Sequence, residues 1–191
     1  MDKFFANLWV VVLVGFGLAV ILTGFPDYAE AVGVANGLLT GIFQWLHVLF
    51  GIMWIGLLYY FNFVQVPLMP AIPAEAKPAV TKHIAPKALF YFRWSAAFTV
   101  LTGVILAWLY GELVQALTLQ PEARLIGIGV WLALIMAFNV WFVIWPAQKK
   151  VLGIVAADDS AKAKAAKAAL IASRTNVLLS IPMLLAMTNF R

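Results

Sequence analysis

Five stretches of this chain are apolar enough to lie in lipid, and the charges and prolines collect between them. They run over roughly 7–25, 38–63, 89–111, 124–147 and 174–190. Each of the first four can cross a hydrocarbon core of about 30 Å at about 1.5 Å per residue. The fifth is short, and Pro182 interrupts it. The pattern predicts an all-α fold: a polytopic membrane helix bundle of about five spans, in a single domain over 1–191.

Between the second and third spans, Pro67, Pro70, Pro73, Pro78 and Pro86 forbid one long helix. They predict a packed loop over 64–88, with a short helix near 74–83. The 159–173 stretch is alanine-rich and helix-favouring, with Asp159 or Ser160 able to cap its start. It is expected to run into the fifth span as one helix. At the N-terminus, Lys3, an apolar run from Leu8 to Phe25 and then Ala29-Glu30-Ala31 imitate a signal peptide. The run is longer than a usual signal core, so it reads as an uncleaved first helix, with cleavage as the alternative.

Composition points the same way. The chain is 64% hydrophobic and only 11% charged, with a mean hydropathy of +0.96. A soluble domain is charged at about a quarter of its positions. There is no cysteine, which removes disulfides, thiolate metal sites, a cysteine nucleophile and covalent c-type haem. The net charge of +5 is a matter of loops facing anionic lipid rather than of nucleic-acid binding. Lys77, Lys82 and Lys87 lie in the 64–88 segment. Lys149, Lys150, Lys162, Lys164, Lys167 and Arg174 lie in or beside 148–173. The 26–37 loop has no basic residue, and 112–123 has none before Arg124. The positive-inside rule then puts the N-terminus in the cytoplasm of a bacterial inner membrane, with 64–88 and 148–173 as cytoplasmic loops. The lysines of 159–173 form a solvated or headgroup-facing surface, or a docking face for an acidic partner.

Two histidines carry the candidate chemistry. His47 sits in the second span, roughly 9–14 Å from the outer surface at about 1.5 Å per residue. On a helical wheel it shares a face with Gln44, Gly51, Ile55, Leu58 and Asn62. Gly51, one turn on, removes bulk, so another helix or a flat cofactor can approach. Three roles are open to His47: a structural hydrogen bond, an axial ligand to haem b, or another metal or proton-relay site. His83 falls in the inner loop, at a different depth, as an interfacial histidine or a weak second ligand. A haem on His47 would then be five-coordinate, take a weak ligand such as Met, or take His47 of a second protomer.

A second set of polar residues falls in the cytoplasmic half: Asn62, Arg93, Asn139, Gln148, Arg174 and Asn176. Arg93 can clamp a carboxylate, such as a haem propionate or an anionic substrate, or snorkel to the interface. Asn62 and Asn139 complete a polar pocket in that reading. Met183 and Met187, four apart, have a Cu(I)-ligand spacing but more commonly fill gaps. Gly37, Gly41 and Gly103 read as helix-packing positions. All eight acids lie outside the spans, which argues against a hydrolase.

Several motifs resemble one family. His47-Val-Leu-Phe-Gly51-Ile-Met-Trp54 resembles the opening histidine helix of the PuuD-like, urate oxidase N-terminal domain membrane family. Phe92-Arg93-Trp94 and Asn139-Val-Trp141-Phe-Val-Ile-Trp145-Pro146 are similar to later helices of that family, as are Ser173-Arg174-Thr175-Asn176 and Ser180-Ile-Pro182. The resemblance covers most of 38–190. It implies a multi-helix inner-membrane domain, fused to a C-terminal cytochrome c, that oxidises urate and passes electrons down the respiratory chain. This chain departs from that pattern: it is shorter, has no cysteine for a cytochrome c, and has Arg174-Thr175 where the family tends to have a histidine. His47 and Arg93 carry over as site residues. The histidine helix also loosely resembles haem-binding bundles of the HemJ type. The functional expectation is a haem-b redox or electron-transfer protein with a separate cytochrome or quinone as partner. The alternatives are a urate- or purine-oxidising enzyme acting with a separate cytochrome, and a non-catalytic subunit of a membrane complex. A homodimer would supply a second His47.

Overall fold

The computed structural model describes residues 7–23 and 37–189. Lys3, the Ala29-Glu30-Ala31 segment and most of the 26–37 loop lie outside the described residues. Every regular element among those described is helical: α1 (Leu8–Leu22), α2 (Gly37–Leu68), α3 (Lys77–Leu109), α4 (Leu113–Leu117), α5 (Pro121–Val151) and α6 (Asp159–Thr188). Four of these, α2, α3, α5 and α6, are long and apolar enough to cross a membrane. The protein is therefore a multi-pass helical membrane protein. Of the five expected spans, the first is a 15-residue apolar helix, about 22 Å long at 1.5 Å per residue and so short of the hydrocarbon thickness over its described part.

By its internal contacts the chain divides into 1–43 and 44–191. In the first unit, the Asn7 side chain caps α1 by accepting from the Trp9 and Val10 amides at 3.1 and 3.4 Å. Leu8, Trp9, Leu18 and Ile21 are all exposed and lie around the whole circumference at about 100° per residue, so α1 presents apolar side chains on every side.

In the second unit, neighbouring helices run antiparallel. The α2–α3 pair is joined by His47 to Thr99 near one end and Phe61 to Phe92 near the other. Trp94 meets Trp141 across α3–α5. Asn139 meets Asn176 while Gly129 faces Ala186 and Met187 across α5–α6. One core runs through all four helices: Trp54, Leu58 and Phe61 of α2, Leu89, Phe92 and Ala96 of α3, Met136, Val140 and Ile144 of α5, Ala172 and Met183 of α6. Antiparallel pairing puts Lys77, Lys82, Lys87, Lys149, Lys150, Lys162, Lys164 and Lys167 at one end, with Glu112, Glu122 and Arg124 at the other.

The helices are longer than the prolines lead one to expect. The connection between α2 and α3 is only 69–76, where a loop over 64–88 was expected. The helices continue through Pro67 and Pro86 by widening into π-helical turns at Tyr60–Gln65 and Val80–Ile84, and α5 does the same at Asn139–Ile144 before Pro146. A proline ring clashes with the carbonyl four residues back and offers no N–H to it. Those carbonyls belong to Phe63, Lys82 and Phe142, each inside a π turn. In each case the residue just before the proline bonds five residues back: Val66 to Phe61, Ala85 to Val80, Trp145 to Val140. At the other end of the chain, the alanine-rich stretch and the fifth span form one helix, α6, as expected, capped by Asp158 rather than Asp159 or Ser160.

Candidate functional site

His47 packs against α3 rather than into an open face of its own helix. Its Nδ1 lies 2.9 Å from the Thr99 carbonyl oxygen. A carbonyl only accepts, so Nδ1 carries the proton and Nε2 holds the free lone pair. The Thr102 hydroxyl is 3.4 Å from the same Nδ1 and donates its own hydrogen to Phe98 O at 2.6 Å. The imidazole lies against Gly103, where a Cβ would come 2.8 Å from Cε1 and 3.0 Å from Nδ1. The glycine that makes room is thus Gly103 on the neighbouring helix. A Cβ at Gly51 would make only an ordinary 4.0 Å contact with Thr99 Cγ2. The residue itself is half-buried.

A polar seam runs along α6, formed by Ser173, Asn176 and Ser180, which share one face at i, i+3 and i+7. Asn62 donates to Ser173 Oγ at 2.7 Å and to its own Leu58 carbonyl at 2.9 Å. Asn139 donates to Asn176 Oδ1 at 2.9 Å, and Asn176 donates to the Met136 carbonyl at 3.0 Å. Ser180 gives its hydrogen to Val177 O, so Tyr59 is the donor in their 3.0 Å contact. Asn176 and Ser180 are fully buried, and the Asn62 Oδ1 atom is buried without a protein partner among the described residues. Interhelical bonds of this kind hold helices together where the hydrophobic effect does not, at about 0.6 kcal/mol each and up to about 1.7.

Arg93 belongs to a third place. Its guanidinium carbon lies 3.5 Å from the centre of the Trp145 ring and 5.9 Å from that of Trp141. It is six residues before Thr99 on α3, about 9 Å along the axis and about 120° round it. Arg93 therefore faces α5, while His47 touches α3 on another face. Lys149 lies 5.9 Å from the same Trp145 ring. Among the described residues Arg93 Nε is buried without a hydrogen-bond partner, and the one ion pair is Lys162 with Asp159 at 3.7 Å. A cation–π contact supplies about 0.5–2 kcal/mol. Placing an arginine mid-span costs about 2.5–3.5 kcal/mol, less near an end where it can snorkel.

The five residues expected to form one pocket thus fall into separate sets. Asn62 and Asn139 are joined through α6, Arg93 sits on the α5 tryptophans, and His47 and Gly51 lie toward Thr99. His83 is exposed in the Val80–Ile84 π turn, sixteen residues before Thr99 and about 24 Å from it along the helix. Met183 is buried in the core and Met187 packs beside it, so both serve as packing. Ser173 and Ser180 were not anticipated from sequence; their shared face with Asn176 was the available signal.

Fold and polar interior together define a polytopic membrane protein built from antiparallel helices, with a hydrogen-bonded seam on its last helix. Residues 112–190, which contain α4, α5 and α6, match the family described as urate oxidase N-terminal. That segment holds Asn139, Trp141, Trp145, Asn176 and Ser180, and bears out the sequence resemblance over its closing helices. Neither a curated protein nor a solved structure matches the chain.

Proposed function

We propose that this is an inner-membrane redox protein, related to the membrane domains of urate oxidases, that holds haem b through His47 Nε2. The observation that carries the reading is the Nδ1 hydrogen bond to Thr99 O, which leaves Nε2 as the ligating nitrogen. Metal-bound histidines are commonly oriented in this way by a backbone carbonyl. Gly103 holds the ring in place by yielding space to it. His47 would be the one histidine of this chain to hold the haem, because His83, in the Val80–Ile84 turn, lies too far along α3 to reach it. Bound haem would supply one-electron chemistry, with a separate cytochrome or quinone as the exchange partner. The basic end faces the cytoplasm in this arrangement.

The test is an absorption spectrum of the detergent-purified, haem-supplemented protein, oxidised and reduced. A Soret band is expected that is lost in His47→Ala and kept in His83→Ala. Absence of the band in the wild type would sink the assignment, and colourless co-purification with a larger complex would point to a structural subunit instead. The family match over 112–190 favours a second reading, oxidation of urate or another purine with electrons passed to a separate cytochrome. Urate consumption coupled to reduction of an added acceptor separates that enzyme from a pure electron carrier.

A further inference from the structure

We propose that Arg93, Trp145 and Lys149 form a headgroup site for an anionic phospholipid at the basic end of α3 and α5. Two cations converge on one indole, at 3.5 and 5.9 Å from its centre, and no carboxylate pairs with either among the described residues. Stacking orients the Arg93 guanidinium but leaves its charge unneutralised and its buried Nε without a partner. A phosphate diester supplies both missing things: a negative charge between the two cations and oxygens that accept from the guanidinium fork.

The position favours a lipid over a soluble anion. Arg93 lies about 9 Å inward of Lys87, at about 1.5 Å per residue. Lys87 itself sits 5.3 Å from the Tyr91 ring. Around Arg93 the surface is aromatic and outward-facing: Phe90 and Trp94 are exposed at 45% and 42%, and Trp94 packs edge-on to Trp141 at 5.5 Å. Aromatic rings with cations just outside them mark the level at which acyl chains give way to headgroups. A headgroup held there would run its acyl chains inward along the exposed faces of Trp94 and Phe98. The site is independent of His47 and of any haem.

The experiment compares thermal unfolding of the delipidated full-length protein in mixed micelles containing phosphatidylglycerol or phosphatidylcholine. Phosphatidylglycerol is expected to raise the midpoint by several degrees over phosphatidylcholine. Arg93→Gln and Lys149→Gln are each expected to lose at least half of that shift, while Lys164→Gln keeps it. Lys149→Gln leaves the Arg93 stack intact, so it reads the site even if Arg93→Gln does not fold. Native mass spectra should show fewer retained phosphatidylglycerol molecules on Lys149→Gln than on the wild type. An undiminished shift in Lys149→Gln would overturn the proposal. So would an equal loss in Lys164→Gln, which would mean diffuse attraction to the whole basic end. Equal stabilisation by inorganic phosphate would overturn the assignment to a lipid.

Discussion

The His47 imidazole and the backbone of α3 meet because residue 103 has no side chain. Substituting Gly103→Ala places a methyl within 3 Å of two ring atoms, and a ring can turn away more easily than a helix can move. Under the proposed haem assignment the expected result is a folded protein, by circular dichroism, whose affinity for added haem falls roughly tenfold, whereas Gly51→Ala leaves it unchanged. The helical wheel of α2 shows which residues share the His47 face, but not which helix lies opposite. That is why Gly51 looked like the space-maker in the sequence and Gly103 only like a packing glycine. Asn176 tests the seam at the same scale. It is fully buried, and its loss leaves Asn139 without its acceptor. Asn176→Ala is expected to lower stability by about 2 kcal/mol, measured by SDS-induced unfolding. A cycle with Asn139→Leu should show coupling above about 0.5 kcal/mol, because the two amides bond each other directly.

At the level of elements, the apolar runs and the alanine-rich approach to α6 were legible from composition alone. The ends of α2 and α3 were not. Proline is correctly read as hostile to an α-helix, but one wider turn removes the conflict, and nothing local in the residues announces that turn. The Arg93–Trp145 contact was equally hidden, because its partners are 52 positions apart and meet only through the pairing of α3 with α5. The short helix α4 offers a direct test of close approach. A Cβ on Gly127 of α5 would collide with the Ala116 carbonyl and come 2.8 Å from Leu119 Cδ2. Trp131 Nε1 also donates to Leu117 O at 3.0 Å, tying the same two helices. Gly127→Ala is expected to cost about 1–3 kcal/mol through overpacking against backbone that cannot yield. The midpoint of thermal unfolding in detergent should fall accordingly, while Gly111→Ser, with open space around it but a φ of +74°, should cost less.

For the molecule as a whole, antiparallel helices convert a pattern along the sequence into a polarity in space. Lysines from the helix ends that flank two connections, 69–76 and 152–158, collect at one end. This polarity predicts the orientation of the protein, and the chain is well suited to measuring it because it contains no cysteine. Gln120→Cys, at the acidic end, is expected to react with a membrane-impermeant maleimide in intact spheroplasts. Ala163→Cys, at the basic end, is expected to react only after permeabilisation. The reverse result would invert the assigned topology.

The three π turns have a consequence for how this chain tolerates changes of length. Each contains one residue more than an α-helix needs over the same rise, so a single-residue deletion there restores α-helical bonding and with it the clash at the following proline. The parts on either side keep nearly the same rotational setting, because a wider turn takes up its extra residue by turning less at each one. In α5, removing one residue between Asn139 and Ile144 would keep Asn139 against Asn176 but set the Pro146 ring against the carbonyl four residues before it, bending the helix at Trp145. The cationic-aromatic surface therefore depends on the length of that turn, whereas the seam does not.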